Sequence, residues 1–183
     1  MGLKVDTKQI LADSFCKLLE KNSIENVSVQ NIVDYCGASR TTFYNHFSDK
    51  YELMIWIYKE DMKKIWTGCL GDWKENAIKV LEYFKEKRSF YLNISQHAGQ
   101  NSIQEEMTER LVLNAENYLK EKAGTNLFRD EIEYAIRIYS RNVTDEIFNW
   151  LKSSNACSTQ TMVKNMSMCM PFVLMKYFVD KRV

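Results

Sequence analysis

The sequence predicts an all-α fold, a small N-terminal three-helix unit followed by a larger C-terminal helical bundle. Three observations carry that expectation. The 183 residues include 6 glycines and 1 proline, set against abundant Leu, Ile, Met, Lys and Glu, which favour helix. Apolar residues recur at spacings of three and four along most of the chain, the period of one helical face rather than of a strand. Ser, Asp and Gly punctuate these runs where caps are needed. No sheet is expected.

The first helix is expected from Asp6 to about Lys21, with Ile10, Leu11, Phe15, Leu18 and Leu19 at helical spacing. Asp6 and Gln9, three residues apart, have the form of a capping box. Asn22 to Val27 reads as a loop. A second helix runs from a Ser28 cap to Tyr35, with Val29, Ile32, Val33 and Tyr35 as its apolar contacts. Cys36-Gly37-Ala38 then forms a turn whose glycine can take the left-handed conformation that ends helices. Ser39 is a natural cap for a third short helix, Arg40 to about His46. Phe43 and Phe47 lie four apart and share a face, which must be buried. That leaves Arg40, Thr41, Tyr44 and Asn45 to point outward. Two short helices joined by a glycine turn form a helix-turn-helix, the arrangement that places its second helix in the major groove of DNA.

From Ile10 to Leu53 the sequence resembles the DNA-binding domain of the TetR family of bacterial transcriptional regulators. The matching pieces are Ile10-Leu11-Ala12 with Phe15 and Leu18, Ser28-Val29 with Ile32-Val33, and Cys36-Gly37-Ala38-Ser39. They continue with Thr42-Phe43-Tyr44-Asn45-His46-Phe47 and Asp49-Lys50 with Leu53. A bare helix-turn-helix is a weak signal, whereas this joint pattern is specific. The resemblance implies a homodimer that sets two recognition helices into successive major grooves of a palindromic operator, roughly 34 to 36 Å apart. Arg40, Thr41, Thr42 and Asn45 are then the base-reading candidates. Ser28, Ser39, Tyr44, His46 and Lys50 are the candidates for holding backbone, and the family's lysine at the place of Lys50 contacts a phosphate. Members are usually repressors released by a small-molecule effector, although some act through a partner protein as adaptors or co-activators.

The division expected is a reader over residues 1–48 and a ligand-binding and dimerisation domain over 49–183. A fourth helix, capped by Ser48 or Asp49 and reaching about Trp66, is apolar at almost every position from Leu53 to Tyr58. Such a helix covers more than one face and is expected to sit between two bodies. Gly68 and Gly71 mark a helix junction. Helices follow over about 72–86, 89–98 and 102–123, the last two closed by Gly99 and Gly124. Leu127 to Leu151 carries a broad stripe of Ile132, Ala135 or Ile136, Tyr139, Val143, Ile147 and Trp150, widened by Tyr134, Ile138 and Phe148. Ser158 to about Val179 is apolar nearly all round and contains Pro171, which must kink or interrupt it. One small core cannot satisfy such a helix, so a second copy of the chain is the expected cover. The family's dimers form through these last two helices.

Composition limits the chemistry. Hydrophobic residues make up 45% and charged residues 27%, the balance of a soluble globular protein. The formal net charge is +1, and in residues 4 to 47 Lys4, Lys8, Lys17, Lys21 and Arg40 cancel Asp6, Asp13, Glu20, Glu25 and Asp34. Sequence-independent DNA binding leans on a basic footprint, so the weight falls on hydroxyls, backbone amides and a few cations. Cys16, Cys36, Cys69, Cys157 and Cys169 lack metal-ligand spacing and read as small hydrophobes in a reducing cytoplasm. The N-terminus has no signal-peptide pattern, and Asn165 to Met175 is too short to span a bilayer. His46 and His97 lie in no nucleophile or metal motif, and no phosphate loop is present. Neither enzyme, metal nor cofactor is expected. A binding cavity among the middle helices is expected instead, with Trp73, Tyr91, Gln96, His97, Met107, Tyr118 and Tyr139 as lining candidates. The competing reading of the apolar members of this set is plain helical core.

Overall fold

A computed structural model describes residues 6–65, 73–97, 99, 102–123 and 130–178. Every described element is helical, in the order α1 (Thr7–Leu19), a 3-10 turn (Ile24–Asn26), α2 (Val29–Cys36), α3 (Arg40–Tyr44), α4 (Lys50–Ile65) and α5 (Trp73–Glu86). There follow α6 (Arg88–Ile94), α7 (Ile103–Ala123), α8 (Asp130–Lys152), α9 (Thr159–Met168) and α10 (Phe172–Phe178). The expected end of the fourth helix at Trp66 and the junction glycines Gly68 and Gly71 lie outside the described residues, as do Cys69 and Gly124.

Short-range chemistry sets the N-terminal helices. Asp6 caps α1 by accepting from the Lys8 amide, while Gln9 turns forward and donates to Asp13 Oδ1 at 2.8 Å. The expected box therefore gives way to a one-sided cap, because Gln9 finds a carboxylate one turn on. Ser28 and Asn31 do form a reciprocal box: the Ser28 hydroxyl accepts from the Asn31 amide and Asn31 Oδ1 accepts from the Ser28 amide. At the start of α4, Asp49 Oδ1 accepts from the amides of Tyr51 and Glu52, and Ser48 donates instead to Glu52. Those donations hold the Glu52 carboxyl below the usual carboxylate range. α2 ends at Gly37 with φ 69°, and the Gly37 and Ala38 amides both reach the Val33 carbonyl. Tyr35, expected inward, is 58% exposed, since α2 packs on α1 through Ile32 and Val33.

A Cβ at Gly37 would meet no atom within 4 Å, so Gly37→Ala isolates the cost of the left-handed backbone. That cost is about 1–2 kcal/mol, partly offset by reduced freedom of the unfolded chain. A net loss of about 1 kcal/mol is expected, read as a lower denaturant midpoint with an unchanged slope.

Two compact units emerge, one of residues 1–64 with 87–103 and the other of 65–86 with 104–183. This division differs from a cut after residue 48, because α4 and α6 pack with the helix-turn-helix. Trp56 of α4 meets Phe47 edge to face at 5.8 Å, Tyr91 of α6 reaches Asp61 of α4, and α6 lies against α1. The core of this unit comprises Leu11, Phe15, Ile24, Ile32, Phe43, Leu53, Met54 and Tyr91, all buried.

The second unit centres on Leu119, Ile132, Ala135, Ile136, Met170 and Leu174, with Trp73, Tyr139 and Phe178 packed around them. Pro171 interrupts the expected last helix, leaving α9 and α10 as separate pieces. α10 is then tied by its carbonyls, with Trp73 Nε1 donating to Phe178 O at 2.6 Å and the Tyr118 hydroxyl to Tyr177 O at 3.2 Å. Along α8 the buried stripe runs through Ile132, Ile136, Ser140, Thr144, Ile147 and Leu151. Tyr134 and Ile138, which widened the predicted stripe, face outward. Exposed too are Met168 at 71% and Phe172 at 89%. Cys169, expected within an apolar stripe, is exposed at the end of α9.

Candidate nucleic-acid interface

The recognition helix is short because Ser39 starts it and Asn45 ends it, with only five residues between. The Ser39 hydroxyl accepts from the Thr42 amide at 3.0 Å and pairs with the Thr42 hydroxyl at 2.8 Å. Thr42 is therefore half-buried and engaged in the cap, whereas Arg40, Thr41, Tyr44 and Asn45 are exposed together. Phe43 and Phe47 anchor the opposite side, with ring centroids 5.9 Å apart. Arg40 lies along Tyr44, its guanidinium carbon 5.9 Å from the ring centre and Nη2 donating to the hydroxyl at 3.5 Å. The outward set thus offers one fixed cation, a phenol, a hydroxyl and an amide. These suit the acceptor-rich edge of guanine, phosphate oxygens and the mixed edge of adenine. His46 is half-buried beyond the helix, and Ser28 stays exposed at the cap of α2.

Lys50 is directed differently. Its ammonium donates to the carbonyls of Ile24 at 2.7 Å, Val27 at 2.9 Å and Glu25 at 3.4 Å. Burial pushes its pKa down, against Glu25 and Asp49, which raise it. Three carbonyls at and just beyond the 3-10 turn thus gather on one cation, that of Ile24 while also accepting from the Val27 amide. Lys50→Ala is expected to lower stability by about 1.5–3 kcal/mol, the range for hydrogen bonds to a charged group, measured by urea unfolding. Loss of DNA affinity in a variant of unchanged stability would instead assign the ammonium to phosphate.

The seven lining candidates are divided between the two units. Tyr91, Gln96 and His97 belong to the first unit, and Trp73, Met107, Tyr118 and Tyr139 to the second. His97 stacks on Tyr51 at 3.9 Å, with Nδ1 3.5 Å from Glu25 Oε1, and Gln96 is exposed. Met107 is buried. Tyr118 stacks on Phe178. Tyr139 donates to Met166 O at 2.6 Å, and burial raises its phenol well beyond the usual range. A groove of about 640 Å³ lies elsewhere in the second unit, lined by Ile65, Ile78, Lys79, Glu82, Tyr83, Lys85 and Glu86. Burial pushes the Cys16 thiol up to about 12, helped by Asp61 and Asp13, so it stays a neutral, unreactive side chain. No group of metal-ligating residues occurs among the described residues, and no helix among them is long and apolar enough to cross a membrane.

Sequence reasoning passed over Asn93. Its Oδ1 accepts from the Ile24 amide at 2.7 Å, and its Nδ2 donates to the carbonyls of Leu19 at 2.9 Å and Asn22 at 2.6 Å. The only local hint is an indifferent helix former inside a seven-residue helix.

A capped recognition helix held behind a left-handed glycine turn defines a helix-turn-helix DNA-binding regulator. Residues 13–55 match the bacterial regulatory proteins of the tetR family, and residues 71–171, more than half of the chain, match a transcriptional regulator C-terminal region. The chain belongs to the TetR family of bacterial transcriptional regulators, which are non-enzymatic. It is 29% identical over 96 residues to the HTH-type dhaKLM operon transcriptional activator DhaS of Lactococcus lactis subsp. lactis (strain IL1403), an alignment spanning 51% of each chain. The chain thus spans about half the length of that curated relative. Among solved structures, a TetR transcriptional regulator from Streptococcus agalactiae 2603V is similar with TM-score 0.69 and 17% identity, covering 90% of this chain and 94% of that one. The dihydroxyacetone kinase operon activator DhaS is similar with TM-score 0.66 and 18% identity, over 95% and 97%. At such identities the likeness speaks for the fold.

Proposed function

We propose that this regulator works in the cytoplasm as a homodimer that reads a palindromic operator with α3 and yields to a small-molecule effector. The outward convergence of Arg40, Thr41, Tyr44 and Asn45 on a helix capped by Ser39 carries the reading. Arg40, Thr41 and Asn45 contact base edges, with Thr42 beside them through its methyl. Ser28, Ser39, Tyr44 and His46 hold the backbone, and Lys50 shapes the turn behind them. The dimer forms through helices at about 127–151 and 158–179, whose exposed Tyr134, Ile138, Met168 and Phe172 need a cover. An effector among the C-terminal helices favours a dimer whose recognition helices are wrongly spaced. A coupling of about 1–3 kcal/mol weakens DNA binding about 5- to 150-fold. Repression is the expected direction.

The relative from Lactococcus lactis, named as an operon transcriptional activator, and the charge balance of the reader favour a second reading, an adaptor or co-activator working mainly through a protein partner. Binding of the purified protein to a fluorescent fragment of its own upstream DNA, at two salt concentrations, separates them. Tight, salt-sensitive binding supports the operator reader. A folded dimer with no affinity for that fragment favours the partner-dependent reading.

A further inference from the structure

We infer that Asn93 is a positioning residue for DNA reading, latching α6 to the turn from which the helix-turn-helix is launched. The inference rests on the operator-reading proposal. Asn93 answers an amide and two carbonyls within six residues, Leu19, Asn22 and Ile24, at the point where α1 has ended and α2 has not begun. Those groups have no regular helical partners, since the last carbonyls of a helix and the first amides of the next turn are left open. Lys50 gathers the carbonyls of Ile24, Glu25 and Val27 from α4. His97, three residues past the end of α6, stacks on Tyr51 and approaches Glu25.

The turn is thereby fixed from α4 and from α6, and Val27 passes its position directly to the Ser28 cap. α2 and α3 follow as a block, because Gly37 and Ala38 close on Val33 and α3 packs against α2. A displacement of Asn93 therefore redirects the recognition helix without touching any residue that faces DNA. The residues matching the tetR family's DNA-binding part end at 55, so this chain's reader is incomplete without a side chain 38 positions further on.

The test compares full-length Asn93→Leu and Asn93→Asp with wild type and with Ile94→Val, which trims the buried face of the same helix. Operator affinity, far-UV circular dichroism and amide hydrogen exchange at Ile24 are measured on each. Both Asn93 variants are expected to keep their helical content and to bind the operator about 5- to 150-fold more weakly, while Ile94→Val stays within about twofold. Exchange at Ile24 should rise in Asn93→Leu and stay slow in Asn93→Asp, which retains the acceptor. Wild-type affinity in both folded variants, or a loss no larger than in Ile94→Val, overturns the inference and leaves operator reading intact. Failure of both variants to fold also overturns it, making Asn93 a residue of general stability. Absence of binding by the wild type overturns the operator reading, and this inference with it.

Discussion

Replacing Arg40 and Tyr44 together by alanine should abolish tight operator binding while leaving the protein as stable as before. Both side chains are exposed, Tyr44 at 49%, and the Phe43 and Phe47 anchor loses only the edge-to-face contact of the Tyr44 ring with Phe43, 5.6 Å between centroids. Surface changes of this kind move stability by about 0.5 kcal/mol or less. A bidentate base contact is worth about 1–3 kcal/mol. A dimer loses it twice, so about 2–6 kcal/mol, or roughly 30- to 20,000-fold in affinity, disappears. The single Arg40→Ala variant should relax preference at particular base pairs, whereas Tyr44→Ala should weaken all sequences alike and, through loss of its contact to Arg40, blunt the same preference slightly. A titration of wild-type and variant operators by fluorescence anisotropy reads both effects. Equal losses on every sequence from both single variants would remove Arg40 from base recognition.

If the proposed homodimer pairs through α10, Phe172→Glu should convert it to a monomer and take operator binding with it. Phe172 is 89% exposed in the single chain, so its loss removes little from the protomer's own core. The substitution also places a carboxylate in the first turn of α10, where the helix dipole favours it. In a dimer, burial of each phenylalanine contributes about 1.5–3 kcal/mol. Two copies make about 3–6 kcal/mol, and the dissociation constant should rise roughly 100- to 20,000-fold. Burying the carboxylate adds to this. Light scattering at micromolar concentration gives the mass directly. A Phe172→Glu protein that remains dimeric would move the interface away from α10.

Much of the reader is legible residue by residue because its rules act over three or four positions. Ser28 and Ser39 are read as caps, Gly37 as the left-handed turn and Phe43 with Phe47 as the anchor, and the structure has them so. Pro171 likewise announces the interruption between α9 and α10. What escapes is whatever depends on a distant partner. Periodicity offers Tyr35, Tyr134 and Ile138 an apolar stripe but not the neighbour that would cover it. Lys50 opens a helix and reads as outward, yet carbonyls 23 to 26 residues earlier claim its ammonium. The attachment of α4 and α6 to the reader cannot be inferred from local composition, which shows only that α4 is apolar on several sides. Of the candidate interface, the outward set was readable; the half-buried state of Thr42, drawn into the cap by Ser39, was not.

The bonds of Asn93 reach back 69 to 74 residues, and that span bears on how the protein is made. Contacts so far apart in the chain close slowly, because the loop between them must first be ordered. During synthesis, helices α1 to α3 leave the ribosome well before their latch exists, at about 5–20 residues per second. The reader therefore completes only after α6 has emerged, and then without waiting for α7 to α10. A nascent chain emerged only as far as residue 92 would carry its recognition helix with the turn still unheld, and a chain emerged just beyond residue 103 would already own a finished reader without the helices proposed for pairing.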